Sequence, residues 1–276
     1  MLVLIRGAGD LASGIALRLW RSGYGVVMTD LPLPTSIRRT VAFSEAIRHG
    51  AARVEDVEAR RAETAAEALA LLSDRILPVL ADPECACREI LRPHALVDAI
   101  LAKRNLGTRI TDAPVVVGVG PGFTAGEDCH AVVETMRGHT LGRAIYHGSA
   151  LPNTNIPGLI GGFAGERVLR APADGVFYAV RRIGGAVRAG EVVGYVRRPS
   201  NSGGTADGRE DVPMTATLDG VLRGLLADGV PVRAGMKSGD VDPRGDASYC
   251  ALASDKALSI GGGALEALLH FGVAPG

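Results

Sequence analysis

Residues 3–30 read VLIRGAGDLASGIALRLWRSGYGVVMTD, and no other stretch limits the fold as tightly. A short apolar run, Val3 to Ile5, meets Gly7-Ala8-Gly9. A helical pattern over Gly14 to Trp20 follows, then a second apolar run, Val26 to Thr29, closed by Asp30. The layout predicts strand, glycine turn, helix and a second, parallel strand. Glycines in such a turn let backbone come close to a ligand, and the helix start offers N–H groups to an anion. Gly7, Gly9, Asp10, Ser13 and Asp30 are therefore candidate ligand-binding residues. Ser13 would add a hydroxyl donor. Asp10 would repel a bare phosphate unless its side chain turns away or holds a metal. Asp30 stands where a ribose-binding acid stands, and it suits a cap on the following turn equally well. The plain alternative for the whole motif is a turn that only joins strand to helix.

Pro114 to Gly122, PVVVGVGPG, repeats this physics as a second strand entering a glycine turn. A helix is expected near Gly126 to Met136, which makes Gly120, Gly122 and Thr124 a second candidate cradle. On that expected helix Glu127, His130 and Glu134 fall at i, i+3 and i+7 and share a face. Three such groups suit a divalent metal or proton transfer; a solvated helix face is the plain alternative. Cys129, His130 and Glu134 are the candidate catalytic set, with Cys129 as a thiolate whose pKa would fall near a helix N-terminus. Upstream, Asp98, Lys103, Arg104 and Asn105 form a polar cluster. Lys103 and Asn105 there could hold a phosphorylated cofactor. Cys85-x-Cys87 lacks zinc-knuckle spacing, and no second pair follows. Asn153, Thr154 and Asn155 add polar groups on a loop.

The last third carries a duplication. Ala173-Asp174-Gly175-Val176-Phe177 matches Leu218-Asp219-Gly220-Val221-Leu222, and Val187-Arg188-Ala189-Gly190 matches Val232-Arg233-Ala234-Gly235, each at an offset of 45 residues. Short strands with turns at Asp-Gly and Ala-Gly predict a small β module. The pattern resembles the half-motif of biotinyl and lipoyl domains. Carriers of that kind need an exposed lysine between the halves, and Arg197–Asp211 has none, which argues against a covalent carrier. Asp240, Asp242 and Arg244 close the second copy and are candidates for clamping the module to the sheet. The expected fold is α/β: a Rossmann-like parallel sheet over 1–168, a barrel-sandwich-hybrid-like module over 169–250, and a helical tail over 251–276 that packs back on the core.

Composition narrows the partners. Of 276 residues, 47% are hydrophobic but only 4% aromatic, so aliphatic side chains must fill the cores. Thirty basic and thirty acidic residues balance, which gives no reason to expect nucleic acid. No apolar run is long enough for a membrane span. The chain runs straight into a strand without a basic leader, and its four cysteines form no disulfide ladder. A cytoplasmic protein with reduced thiols is the expectation.

Several long stretches, in one order, carry a family resemblance: IRGAGDLASGIALRL at 5–19, VDAILAKRNLGT at 97–108, GPGFTAGEDCHAVVETMRGHTLGR at 120–143, ALPNTNIPGLIGG at 150–162, ERVLRAPADGVF at 166–177, GVLRGLLADGVPVRAGMKSGDVDPR at 220–244 and DKALSIGG at 255–262. By these the chain resembles the YqeB-like family of selenium-dependent molybdenum hydroxylase accessory proteins. The N-terminal part resembles the Rossmann-like region of the XdhC maturation factors. The resemblance implies an accessory factor that holds a nucleotide or molybdenum-cofactor species, a molybdopterin or NAD(P), at its glycine-rich loops. Its partners would be a small-molecule anion and a molybdenum hydroxylase client or the maturation machinery, with homo-oligomerisation open. Two other readings stand beside it: a selenium or sulfur transferase or nucleotide-dependent oxidoreductase, and a scaffold without catalysis. Arg197–Asp211 reads as a local expansion whose order the sequence leaves open.

Overall fold

The computed structural model describes residues 1–154, 158–200 and 208–276. They form two compact units. One comprises Met1–Pro34, Val41–Thr154 and Ala253–Gly276; the other comprises Thr35–Thr40 and Asn155–Leu252. These bounds depart from the expected 1–168, 169–250 and 251–276 in placing 35–40 and 155–168 with the second unit. Of the loop Asn153 to Asn155, Asn155 lies outside the described residues, as do 201–207 of the expected expansion.

In chain order the first unit contains β1 (Leu2–Arg6), α1 (Asp10–Arg21), β2 (Gly25–Thr29), α2 (Glu45–His49), β3 (Ala51–Val54), β4 (Val57–Ala62), α3 (Ala65–Ser73) and β5 (Leu77–Leu80). It continues with α4 (Arg88–Leu91), β6 (Ala95–Asp98), β7 (Val115–Val119), β8 (Thr124–Ala125), β9 (Ala131–Val133), β10 (Ala144–Ile145) and β11 (Gly148–Ser149). Nine strands make one sheet in the order β10-β9-β7-β6-β1-β2-β5-β4-β3. The pairs from β9 through β4 are parallel; β3 and β10 are antiparallel edges. This is an α/β fold with a large, mainly parallel sheet. β2 and β5 lie to one side of β1, β6 and β7 to the other, so the winding reverses beside β1, where sheets of this kind take ligands.

β1, LVLIR, is buried on both faces, as a central parallel strand must be. Val3 and Ile5 enter one core with Ile15 and Leu19 of α1, while Leu4 enters a second core on the opposite face. A helix from Asp255 to His270, α5, completes the first core with Ile260, Ala264 and Leu268. It runs straight through Gly261-Gly262-Gly263, although glycine is a poor residue for a helix interior. Packing decides this: a Cβ on Gly14 would lie 2.5 Å from that of Ala257, so α1 and α5 meet backbone to backbone.

A second correction concerns Gly126 to Met136. No helix forms there. β8 and β9 flank a turn instead, and β9 adds to the sheet in parallel beside β7, Val117 opposite Ala131. Three consecutive buried apolar residues, Ala131-Val132-Val133, suit a strand covered on both faces. The helix expected after the second glycine turn is replaced by a turn, across which the polar spacing ran.

The second unit holds β12 (Val168–Arg170), β13 (Gly175–Ala179), β14 (Ala186–Val187), β15 (Val192–Pro199), β16 (Arg209–Thr215), β17 (Gly220–Leu225), β18 (Pro231–Val232) and β19 (Lys237–Asp242). Two four-stranded antiparallel sheets, β12-β19-β17-β14 and β16-β15-β13-β18, share a core of Phe177, Val196, Leu222, Leu225 and Val241. The duplication is visible in the bonding. Asp174 Oδ1 accepts the Ala234 N–H at 2.7 Å, and Asp219 Oδ1 accepts the Ala189 N–H at 2.8 Å. Each copy's aspartate therefore fixes the other copy's Ala-Gly turn. Among the described residues no helix is long and apolar enough to cross a membrane.

Candidate functional site

The carboxyl ends of β1, β2, β6 and β7 gather the glycine turns. At the first, the Gly7 N–H donates to the Thr29 carbonyl at 2.8 Å. Gly7 has φ +106°, and a Cβ there would stand 2.9 Å from the Ala99 carbonyl oxygen. The glycine thus admits the chain's own loop after β6. The Ala8 N–H donates to Asp30 Oδ2 at 2.8 Å, and the Leu31 N–H to Asp30 Oδ1 at 2.7 Å. Asp30 caps the turn with both oxygens, each of which keeps a lone pair for a further donor. Burial pushes its carboxyl pKa up, against the two amide bonds. Ser13 is no extra donor: it is fully buried, its hydroxyl donates to the Ala8 carbonyl at 3.3 Å and accepts the Phe43 N–H at 2.9 Å. Gly9 caps α1 in extended conformation without a side-chain bond, with Asp10 in the first turn. A helix start in this state still directs N–H groups outward.

The second cradle is filled. The Gly120 N–H donates to the Val133 carbonyl at 2.9 Å. Gly122 has φ +106°, and a Cβ there would meet Arg104 main chain at under 3.0 Å. The ring of Phe123 lies over Gly118. The Thr124 N–H goes to Asp128 Oδ2 at 2.9 Å and its hydroxyl pairs with Ser149 at 3.0 Å. Gly120, Gly122 and Thr124 therefore shape a loop contact. Asn105 is spent locally as well: its amide donates to the Thr108 carbonyl and to Asp128 Oδ1, and its Oδ1 accepts the Gly107 and Thr108 N–H groups. Lys103 is exposed, and both it and Leu101 hold the left-handed backbone that non-glycine residues resist, φ +63° and +57°.

The expected catalytic and metal set is not assembled. Glu127 sits in the turn before β9, His130 enters the strand, and Glu134 leaves it at the other end. Glu134 is buried and accepts the Thr135 and Met136 N–H groups at 2.6 Å and the Leu151 N–H at 2.8 Å. It organises the loop that follows. His130 Nδ1 accepts the Val116 N–H at 3.0 Å. No group of three metal-ligating side chains occurs among the described residues, so the donor set does not fit a divalent metal. Cys129 is fully buried, and burial pushes its thiol up to about 11, the reverse of the expected fall. We expect iodoacetamide at pH 8 to alkylate native Cys129 about a hundredfold more slowly than a denatured control, followed by peptide mass spectrometry. Equal rates would remove the buried, protonated thiol. Cys85 and Cys87 are buried too and both are raised by burial, Cys85 to about 11.

A polar centre lies on the sheet's other face, pairing Asp98, singled out in the sequence, with Arg6, which was not. Arg6 ends β1 directly opposite Asp98 at the end of β6. Arg6 Nη1 is 3.3 Å from Asp98 Oδ2 and donates to Thr108 Oγ1 at 3.0 Å and to the Leu106 carbonyl at 3.2 Å. Its Nε donates to the Pro83 carbonyl at 3.0 Å, and the Thr108 hydroxyl donates to Asp98 Oδ2 at 2.5 Å. Asp98 is fully buried. The pair ties the loops after β5 and β6 to the strand that feeds the first glycine turn. The signal was present as single polar residues closing two apolar runs.

Comparison with known proteins fits this picture of one long, continuous resemblance. No known family profile matches the chain. It is 49% identical over 275 residues to the protein described as uncharacterized protein YqeB of Escherichia coli K12, across 99% of this chain and 48% of that protein. The chain thus spans about half the length of the curated relative it matches. Among solved structures, a succinylglutamate desuccinylase/aspartoacylase from Rhodobacter sphaeroides matches at 23% identity and TM-score 0.23, covering 28% of this chain and 22% of that one. An aspartoacylase family protein from Mesorhizobium loti matches at 9% identity and TM-score 0.27, covering 58% and 59%. Likenesses this slight carry neither fold nor function.

Proposed function

We propose that this YqeB-like chain is an accessory factor in the maturation of selenium-dependent molybdenum hydroxylases, and that it holds a nucleotide or molybdopterin-nucleotide species at the first glycine turn. In this reading the first unit is Rossmann-like, related to the XdhC region, the duplicated unit is a barrel-sandwich hybrid that docks the client, and the protein works in the cytoplasm. One observation carries it: Asp30 ends β2 beside Gly7-Ala8-Gly9, hydrogen-bonded to the turn, next to a helix start without a side-chain cap. A carboxylate in that place accepts from a ribose hydroxyl, and the helix start attracts a phosphate. NAD(P) or a molybdopterin nucleotide meets the same two requirements, since both carry ribose and phosphate. Asp30 would take the hydroxyl and α1 the phosphate, and Arg6–Asp98 would hold the edge rigid.

Isothermal titration of the full chain with a molybdopterin nucleotide, NAD and NADP tests this. Binding of one of them, with Asp30→Ala weakening it about tenfold or more, is the expected result. No heat with any of the three overturns it. The scaffold reading is the second one with an observation in its favour, because the other glycine turn is closed by Arg104 and Phe123. The transferase reading loses its support with the buried, protonated Cys129.

A further inference from the structure

We propose that the second copy of the duplicated module carries an oxyanion site centred on Arg223, built for a phosphate group. The site lies within the second unit and does not rest on the nucleotide reading.

Two buried carboxylates on β19, Asp240 and Asp242, alternate onto one face of the strand and are shared among four arginines. Arg38 Nη2 lies 2.6 Å and Arg167 Nη1 3.3 Å from Asp240 Oδ2. Arg244 takes both oxygens of Asp242, Nε to Oδ1 at 2.9 Å and Nη2 to Oδ2 at 2.7 Å. Arg223 is left with one long bond, Nη1 to Asp242 Oδ2 at 3.2 Å. A guanidinium offers five N–H donors, and Arg223 is only 7% exposed. Burial, then the nearby charge of Arg38, pushes its pKa down. The charges of Asp240 and Asp242 offset part of this. Burial pushes the Asp240 carboxyl up, but Arg38, Lys237 and Arg167 together hold it below its usual range, and its bonds go to Arg38 and Arg167. An incoming phosphate supplies further acceptors and negative charge to Arg223 beyond its one bond to Asp242, in the bidentate geometry that guanidinium and phosphate share.

The duplication separates this arrangement from what the fold needs. In the first copy Tyr178 pairs flush with Tyr195 across β13 and β15. The residue 45 later is Arg223, and here the ladder slips: Leu222 pairs with Val241 and Gly224 with Asp240, leaving Arg223 in a bulge. Bulges re-aim a side chain at the cost of ladder pairing. In the first copy the matching β13–β15 ladder brings Phe177 and Val196 into the same core without a bulge, and no buried arginine lies on it. The module folds with a tyrosine at this position, so the bulged arginine answers to something other than the core.

The test is thermal unfolding of the full chain in inorganic phosphate against chloride at equal ionic strength, with titration to obtain an affinity. Phosphate should raise Tm beyond chloride in a saturable way. Arg223→Met should weaken phosphate binding about tenfold or more, the loss of one charge-assisted contact. Nucleotide binding at the glycine turn should be unchanged in Arg223→Met, which separates the two sites. If Arg223→Met does not fold, arginine Nε resonances of the native protein replace it: one should shift with phosphate and not with chloride. Equal Tm responses to the two salts, unchanged affinity in Arg223→Met, or no responding Nε resonance would each overturn the site.

Discussion

Asp98→Ala will lower the stability of the first unit by about 3–5 kcal/mol, the range for removing one partner of a buried ion pair. The carboxylate is fully buried and the Arg6 side chain 8% exposed, so neither water nor salt can replace what is lost. The Thr108 hydroxyl and the Ile100 N–H lose their acceptor, and Arg6 Nη1 loses its charged partner while keeping Leu106 and Thr108. Urea unfolding followed by circular dichroism should show the midpoint of the first unit's transition falling with little change in slope. The double variant Arg6→Met with Asp98→Leu should recover much of the loss, since two apolar side chains in that volume leave no orphaned charge. A single-variant loss below about 1 kcal/mol would mean that Arg6 finds other compensation. The expected damage is not confined to stability, because the same pair anchors the strand that leads into Gly7.

The second large effect lies in α5, where neighbouring glycines should respond with opposite signs. Helix propensity alone predicts that either glycine gains up to about 1 kcal/mol on replacement by alanine. Gly262 has nothing within 4 Å of a would-be Cβ, so Gly262→Ala should show that gain. At Gly263 a Cβ would meet the Gly142 carbonyl at under 3.0 Å and Val133 Cγ1 at 2.9 Å. The obstacle is backbone on one side and a buried side chain on the other, and neither has room to move. Overpacking of this kind costs about 1–3 kcal/mol, and more where backbone must shift, so the net effect of Gly263→Ala is a loss of about 2 kcal/mol. The same denaturation series reads both variants. Matching signs would show that α5 does not press on the 142 loop as described.

These cases mark what the sequence could express. Val3 to Asp30 announced its strand, turn, helix and strand through local pattern, and the 45-residue repeat announced the β module, because both signals sit within one short stretch. The Gly126–Met136 segment misled because a helix was expected after the glycine turn at Gly118–Gly122, where the apolar run Ala131-Val132-Val133 was the better guide to a buried strand. Gly261–Gly263 misled because propensity is a local quantity and close helix packing is not. Arg6 and Asp98 are 92 positions apart and meet only once the strand order is known; the same holds for Arg38, Arg167 and Arg223 around β19. The glycines of the two turns were correctly singled out as points of close approach. What approaches them is the chain's own main chain at Ala99 and Arg104, which no spacing rule distinguishes from a ligand.

The order of segments in the first unit has a consequence for synthesis. α1 is translated before α5, and the surface it needs, on Ala257 and Gly261, is made only after the β module between them has been translated. Until then Ile15, Leu19 and the β1 side chains Val3 and Ile5 lack the cover of Ile260, Ala264 and Leu268. The nascent sheet therefore stays partly uncovered while the module behind it can close its own core first. Release of the chain with α5 truncated should leave a soluble β module attached to an aggregation-prone sheet.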